Sequence, residues 1–84
     1  DMTLVSGINR NHEQQALTRA LLAFAYEIGA QVIAEGIEEF AELRTLRDLG
    51  VPFGQGYRIG LPAPLAATES ATIAGRAKAM SVAV

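Results

Sequence analysis

The 84-residue sequence contains no cysteine, no tryptophan and only five other aromatic residues. Without cysteine the chain can form neither a disulfide framework nor a thiolate metal site, which is typical of a cytoplasmic protein. No apolar run approaches the roughly 20 residues that a transmembrane helix requires. We therefore expect a cytoplasmic location, although a longer parent protein could still be tethered to a membrane.

Basic residues are also few. Seven lysine and arginine residues stand against nine acidic ones, which gives a net charge of −2, and the basic residues are scattered along the chain. A nucleic-acid-binding surface needs a basic patch or stripe that meets the phosphates. The composition therefore predicts no DNA or RNA partner.

Two segments show the apolar periodicity of amphipathic helices. The first follows the potential cap Asn11 and stops at Gly29, and the second follows the acidic pair Glu38 and Glu39 and stops at Gly50. The side chains expected to be buried are Leu17, Leu21, Phe24 and Ile28 in the first helix, and Phe40, Leu43, Leu46 and Leu49 in the second.

Two shorter segments predict strands, at residues 31–34 and 53–59, and Gly60 with the prolines that follow it should end the second. The alanine-rich residues 66–84 predict a C-terminal helix or tail. The order helix-strand-helix-strand-helix implies an α/β fold with a parallel sheet. Because parallel strands need cover on both faces, we expect an incomplete fold. A homodimer or another chain would then cover the open sheet edge.

Polar side chains lie at the predicted strand ends. Glu35 ends the first strand, and alternation places Gln55 on the same face as Phe53 and Tyr57. If the strands are parallel neighbours, Glu35 and Gln55 lie at matching heights about 5 Å apart. This pair would suit a metal or a phosphate-bearing ligand. The pattern alone equally allows Glu35 to cap the next helix and Glu38 to stabilise its first turn.

Five short motifs resemble the C-terminal part of an EAL domain, the bacterial signal-transduction family of cyclic-di-GMP phosphodiesterases. Their order and spacing match the family from Asp1 to Pro64. The most specific signal is the pair A-E-G-I-E and Q-G-Y with a leucine-rich helix between them. The motifs are D-M-T-L-V at 1–5, A-E-G-I-E at 34–38, L-G at 49–50, Q-G-Y at 55–57 and G-L-P at 60–62.

The resemblance implies a modified TIM-type (β/α)8 barrel. Residues 1–65 would form its last quarter, from the end of the sixth strand to the eighth, and residues 66–84 would follow as the helix or tail. A typical barrel needs about 250 residues. The chain is therefore expected to be incomplete as a stand-alone fold.

The resemblance also implies a set of site residues. Asp1, Glu35 and Gln55 match the catalytic positions, and Glu35 is in addition the expected metal ligand. In the family the glutamine at the position of Gln55 faces the substrate phosphate. Three further motif positions are expected to bind the ligand or support the site: Glu38, Tyr57 and Pro62.

The implied activity is hydrolysis of cyclic-di-GMP to linear pGpG with two Mg²⁺ or Mn²⁺ ions in the complete domain. The Glu-Ala-Leu signature and most metal ligands lie upstream of these motifs in the family. We therefore expect the 84 residues alone to be inactive and not to bind the two metals.

Several alternatives remain open at this point. A degenerate EAL domain could bind the dinucleotide or a protein partner without catalysis, and the chain could also be an assembly module that pairs through an exposed sheet edge. The sequence also departs from the family pattern at Glu39, where threonine is usual, and at Leu61, where a basic residue is common. The second departure puts one ligand contact near the barrel mouth in question.

Overall fold

The structure is a computed structural model that describes residues 4–56, 60–65 and 81–84. Helices and strands alternate through the first part of the chain, and short strands follow. The elements are a 3-10 turn at Ile8–Arg10, α1 at His12–Ile28, β1 at Gln31–Ile37, α2 at Phe40–Leu49, β2 at Phe53–Gly56, β3 at Gly60–Pro64 and β4 at Ser81–Ala83.

Both ends of α1 agree with the sequence prediction. The Asn11 side chain accepts a hydrogen bond from the backbone N–H of Gln14 at 2.9 Å, which satisfies one of the donors that a helix start leaves free. Gly29 ends the helix in the left-handed conformation, with φ of 73°, which glycine adopts at little cost. The Gln14 side chain instead donates to the carbonyl oxygens of Leu4 and Ser6, and so holds the preceding loop.

The sheet has four strands in the order β3-β2-β1-β4. Strands β1 and β2 are parallel neighbours joined through α2, so the predicted parallel pair is confirmed. β3 pairs antiparallel with β2, and β4 pairs parallel with β1. The chain itself therefore pairs with both sides of the parallel pair, and β3 and β4 are the edge strands of the described sheet. The expectation that another chain covers a sheet edge stays a prediction.

Two predicted segment assignments also change. Residues 60–64 do not merely end the second strand but form β3, a sheet-edge position in which prolines are tolerated. The predicted C-terminal helix or tail includes Ser81–Ala83, which form a strand instead. Residues 66–80 lie outside the described residues. Backbone pairing with β1 decides the conformation at 81–83, and composition alone did not indicate it.

The hydrophobic core lies between the helices and one face of the sheet. Val32 and Ala34 alternate onto that face, and Leu46 of α2 and Ala25 of α1 pack against it. The apolar residues that are fully or almost fully buried are Val5, Ile8, Ala25, Val32, Ala34, Ile37, Leu46 and Val51. In α2 the predicted stripe is confirmed for Leu46, Leu43 and Leu49, whereas Phe40 is 59% exposed.

The predicted buried face of α1 is wrong. Leu17, Phe24 and Ile28 are 44–57% exposed, and the helix turns Thr18 and Ala25 to the core instead. Small side chains let the helix lie close to the sheet. The Thr18 hydroxyl donates to the carbonyl of Gln14 at 2.8 Å, so its burial leaves no unpaired polar group.

This orientation leaves an uncovered apolar surface on α1. We call it the apolar stripe, and it consists of the exposed Leu17, Phe24 and Ile28 together with the half-buried Leu21. Among the described residues, no helix is long and apolar enough to cross a bilayer.

Strands β1 and β2 approach each other closely because β2 carries glycine at two positions. A Cβ atom at Gly56 would overlap the backbone carbonyl and nitrogen of Ile37. At Gly54 it would lie 2.7 Å from Ile37 Cδ1 and 2.9 Å from Leu65 Cδ2, which are the ends of side chains.

We expect Gly56→Ala to destabilise the protein more than Gly54→Ala. A side chain at residue 56 meets backbone that cannot move without breaking the β1–β2 pairing, whereas the side chains near residue 54 can rotate away. Overpacking typically costs 1–3 kcal/mol, so we expect about 3 kcal/mol or more for Gly56→Ala and about 1 kcal/mol for Gly54→Ala. Thermal unfolding of both variants checks the order, and equal losses would contradict the close backbone approach.

Candidate functional site

The carboxyl ends of β1 and β2 lie at the same end of the sheet because these strands are parallel. Their register pairs Ile33 with Phe53 and Ala34 with Gly54. The next residues along the two strands are Glu35 and Gln55. Glu35 and Gln55, two predicted catalytic residues, therefore each follow one member of the Ala34–Gly54 pair, at the same end of the sheet.

Strand β1 has one extra residue at this point. The pairing resumes only at Ile37, which lies opposite Gly56, so Glu35 and Gly36 of β1 face the single residue Gln55 of β2. This is a β-bulge, which re-aims side chains locally. Gly36 has φ of 79°, a conformation that favours glycine. The shift returns Ile37 to the buried face, at 3% exposure, and leaves Glu35 exposed.

Glu35 and Gln55 lie on the sheet face that points away from the helices. Val32 and Ala34 occupy the helix-facing side of β1, and Gly54 occupies that side of β2, next to Ile37 and Leu65. Successive side chains point to opposite faces. The half-buried Gln55 and the exposed Glu35 therefore share the other face.

The remaining predicted site residues are distributed as follows. Glu38 is exposed and directly precedes Glu39, the N-cap of α2, so it lies just beyond the end of β1. Pro62 is exposed in β3, two residues after the Gly60 that pairs with Gly56. Asp1 and Tyr57 lie outside the described residues. The structure thus brings Glu35, Gln55 and Glu38 to one end of the sheet, while the roles of all six residues stay predictions.

A further acidic residue at the start of α2, Glu42, was not among the predicted site residues. Its side chain is 4% exposed and accepts three backbone hydrogen bonds. Oε2 accepts from the N–H of Gly7 at 2.9 Å, and Oε1 accepts from those of Glu38 at 3.0 Å and Glu39 at 3.2 Å. With Glu39 it forms a capping box. An acidic cap three residues before a second glutamate is the sequence signal that could have revealed it.

Burial and hydrogen bonding act in opposite directions on the Glu42 carboxyl group. Burial opposes its ionisation and raises the pKa, whereas the N–H groups of Gly7, Glu38 and Glu39, together with the charge of Arg10, lower it. The net result is a pKa below the ordinary value of 4.5. Glu42 is therefore held as a carboxylate.

Charge pairing near the turn is weak. Arg10 Nη1 lies 3.8 Å from Glu39 Oε1, and both side chains are more than half exposed. Ion pairs of this kind contribute little because water screens them. The backbone hydrogen bonds to Glu42, and not this ion pair, hold the turn.

The oxygen donors of Glu35 and Gln55 are of the kind that a divalent cation binds. Carboxylate and amide oxygens are the donors that Mg²⁺ and Mn²⁺ prefer, and Glu35 and Gln55 supply one of each. Within residues 4–56, 60–65 and 81–84, no three His, Cys, Asp or Glu side chains are grouped closely enough to hold a metal. The donor chemistry fits a shared site to which other residues must contribute.

The family model for the EAL domain matches residues 1–62. The chain belongs to the EAL domain family. The match covers both strands of the parallel pair and the bulge at Gly36. No solved structure gives a significant match to the chain.

Named relatives extend this finding. An uncharacterized signaling protein of Caulobacter vibrioides is 36% identical over 75 residues, which is 89% of this chain and 9% of the relative. Cyclic di-GMP phosphodiesterase PdeR of Escherichia coli is 36% identical over 69 residues, 82% of this chain and 10% of the relative. Cyclic di-GMP phosphodiesterase NbdA of Pseudomonas aeruginosa is 32% identical over 69 residues, 82% of this chain and 9% of the relative. The chain thus spans about a tenth of the length of these relatives.

We expect Glu42→Gln to destabilise the protein at pH 7 by roughly 1–3 kcal/mol, because at least one buried N–H loses its acceptor. A carboxyl group whose folded-state pKa is lowered stabilises the fold above its ordinary pKa, and this contribution is lost as the pH falls through the folded-state value. The difference in unfolding free energy between wild type and Glu42→Gln should therefore be full at pH 7 and shrink below pH 4.5.

Denaturant unfolding at several pH values measures this difference. Glu27→Gln, an exposed change in α1, is the matched control and should alter stability at pH 7 by less than about 0.5 kcal/mol. A difference for Glu42→Gln that grows towards acid pH would contradict the assignment.

Proposed function

We propose that this chain is the C-terminal segment of a bacterial cyclic-di-GMP phosphodiesterase of the EAL type. In the complete domain the reaction is hydrolysis of one phosphodiester of cyclic-di-GMP to give linear pGpG. The observation that carries the proposal is the position of Glu35 and Gln55, side by side at the carboxyl ends of parallel strands. Relatives named as cyclic di-GMP phosphodiesterases, at 32–36% identity, support the substrate.

Each site residue has a proposed role that follows from its chemistry. The Glu35 carboxylate holds a divalent cation, and the Gln55 amide group binds and orients a phosphate oxygen of the substrate. Asp1, Tyr57 and Pro62 contribute to catalysis or ligand binding from their motif positions. Two Mg²⁺ or Mn²⁺ ions, when bound, polarise the phosphoryl oxygen and supply a nucleophile at neutral pH.

Glu38 has a supporting role in this proposal. It lies next to the N-terminus of α2, where backbone N–H groups and the helix dipole favour a negative charge. It therefore stabilises the turn after β1 rather than binding the cation itself.

The complete domain is proposed to be a modified (β/α)8 barrel located in the cytoplasm, with residues 1–65 as its last quarter. The parallel β1–α2–β2 unit is the repeating element of such a barrel. The active-site end of a barrel lies at the carboxyl ends of its strands, which is where Glu35 and Gln55 stand. In the complete protein we propose that the apolar stripe is covered by other parts of the domain or by a second copy in a homodimer.

In the complete domain we expect Glu35→Gln to lower kcat by about 100-fold or more, because the neutral amide keeps the volume but loses the charge that holds the cation. Glu38→Gln should cost only about 2- to 5-fold, equivalent to a helix-terminus interaction of about 0.3–1 kcal/mol. Turnover of cyclic-di-GMP at saturating Mn²⁺ measures both effects.

Circular dichroism of both variants is the control for folding. An equal loss of kcat in both variants, or a larger loss for Glu38→Gln, would contradict the assignment of the cation to Glu35 and of the supporting role to Glu38. Tight cyclic-di-GMP binding by the wild-type domain without any turnover would favour the non-catalytic alternative.

We expect the isolated 84-residue chain to show no turnover of cyclic-di-GMP with added Mn²⁺ and to self-associate. One carboxylate and one amide are too few ligands for a stable divalent site, and the apolar stripe is exposed to water. Light scattering and a turnover assay on the purified chain test both points. Phe24→Gln should reduce the self-association, whereas Glu27→Gln on the same helix should not.

A further inference from the structure

The carboxylate of Glu42 has no role in the function proposed above. Among the described residues, Glu42 and Thr18 are nevertheless the two polar or charged residues that are buried. It accepts three backbone N–H groups at 2.9–3.2 Å. Hydrogen bonds to an ionised acceptor are about twice as strong as neutral ones. A buried charge with three such partners fixes the backbone segments that provide them.

Two separate segments meet at this carboxylate. Glu38 and Glu39 belong to the turn that follows Glu35. Gly7 is 35 positions away from Glu42 in the sequence and belongs to a turn whose neighbours Val5 and Ile8 have no exposed surface. Glu42 thus connects the turn after β1 to a loop that is anchored in the core.

The conformation of Glu35 depends on what lies on either side of it. On the N-terminal side the Ala34–Gly54 pair is fixed in the sheet. The N–H of Glu35 donates to the carbonyl of Val84 at 3.0 Å. On the C-terminal side comes Gly36, a residue type with wide conformational freedom, followed by Ile37, which pairs with Gly56, and by Glu38, whose N–H donates to Glu42. The Glu42 anchor therefore adds to the sheet pairing by fixing the turn directly after the bulge.

A second predicted catalytic residue precedes the Gly7 loop in the sequence. Asp1 precedes Gly7 by six positions in the sequence. One side chain therefore links the Gly7 loop to the turn after Glu35. Both of these residues are expected at the same catalytic centre.

We propose that Glu42 is a positioning residue that fixes the turn after Glu35 to the Gly7 loop and thereby orients Glu35 for a divalent cation. This inference rests on the proposed function for its choice of ligand. Groups that orient metal ligands typically change metal affinity 10- to 100-fold when they are removed. Glu42 would act through the backbone rather than through direct contact with the cation.

The test uses the complete EAL domain and compares Glu42→Ala and Glu42→Gln with wild type. Isothermal titration calorimetry with Mn²⁺ alone measures cation affinity, and amide hydrogen exchange reports on Gly7, Glu38 and Glu39. Leu46→Ala is the matched control, because Leu46 is fully buried one turn further along α2 and its apolar side chain makes no hydrogen bond to either turn. The half-buried Leu49→Ala is a milder second control.

We expect Glu42→Ala to weaken Mn²⁺ binding at least 10-fold and to speed exchange selectively at those three amides. Glu42→Gln should lie between Glu42→Ala and wild type, because one amide oxygen can still accept hydrogen bonds from two N–H groups. The leucine variants should melt at lower temperature but bind Mn²⁺ like wild type. If Glu42→Ala does not fold, Glu42→Gln decides the outcome in the same way, with a smaller weakening expected.

Unchanged Mn²⁺ affinity in the Glu42 variants would overturn the inference, as would an equal weakening in folded Leu46→Ala or Leu49→Ala. A wild-type domain that binds no Mn²⁺ would also overturn it. The proposed function is judged separately by turnover of cyclic-di-GMP with Mg²⁺. Absence of turnover with normal Mn²⁺ binding would reject the function and leave the binding comparison to decide the role of Glu42.

Discussion

The parallel pairing of β1 with β2 is the constraint on which the other features depend. It places the carboxyl ends of both strands at the same end of the sheet. Parallel strands also require a crossover connection, which α2 provides. The strands lie so close at Gly56 that no Cβ fits against Ile37. The bulge at Gly36 then separates the buried Ile37 from the exposed Glu35, so one irregularity in the pairing serves both the core and the candidate site.

The two faces of the sheet differ in how completely their apolar side chains are buried. The helix-facing side is filled by small and branched apolar residues such as Val32 and Ala34, and the other side carries Ile33 and Phe53, which are only half-buried. The apolar stripe of α1 is likewise uncovered. An apolar surface of this kind indicates an interaction site in a complete protein, in accord with relatives of which this segment is about a tenth.

Local signals in the sequence predicted the helices, their caps and the parallel strand pair, because each depends on nearby residues. Asn11 and Gly29 bound α1 through short-range hydrogen bonds and backbone conformation, as expected. The face that α1 buries was predicted wrongly. Periodicity shows that a helix has an apolar side, but it does not show which side of the helix packs against the sheet.

The sequence by itself determined the order of α1, β1, α2 and β2, the family, and which residues are candidates for chemistry, since these depend on periodicity and motif spacing. Only the tertiary structure decided that β4 pairs beside β1, that Thr18 and not Phe24 faces the sheet, and that Glu42 joins two distant turns. The hydrogen bond that the N–H of Gly7 donates to Glu42 joins residues 35 positions apart in the sequence. Contacts of that range depend on how elements pack in space, and no local pattern encodes which element will lie against which.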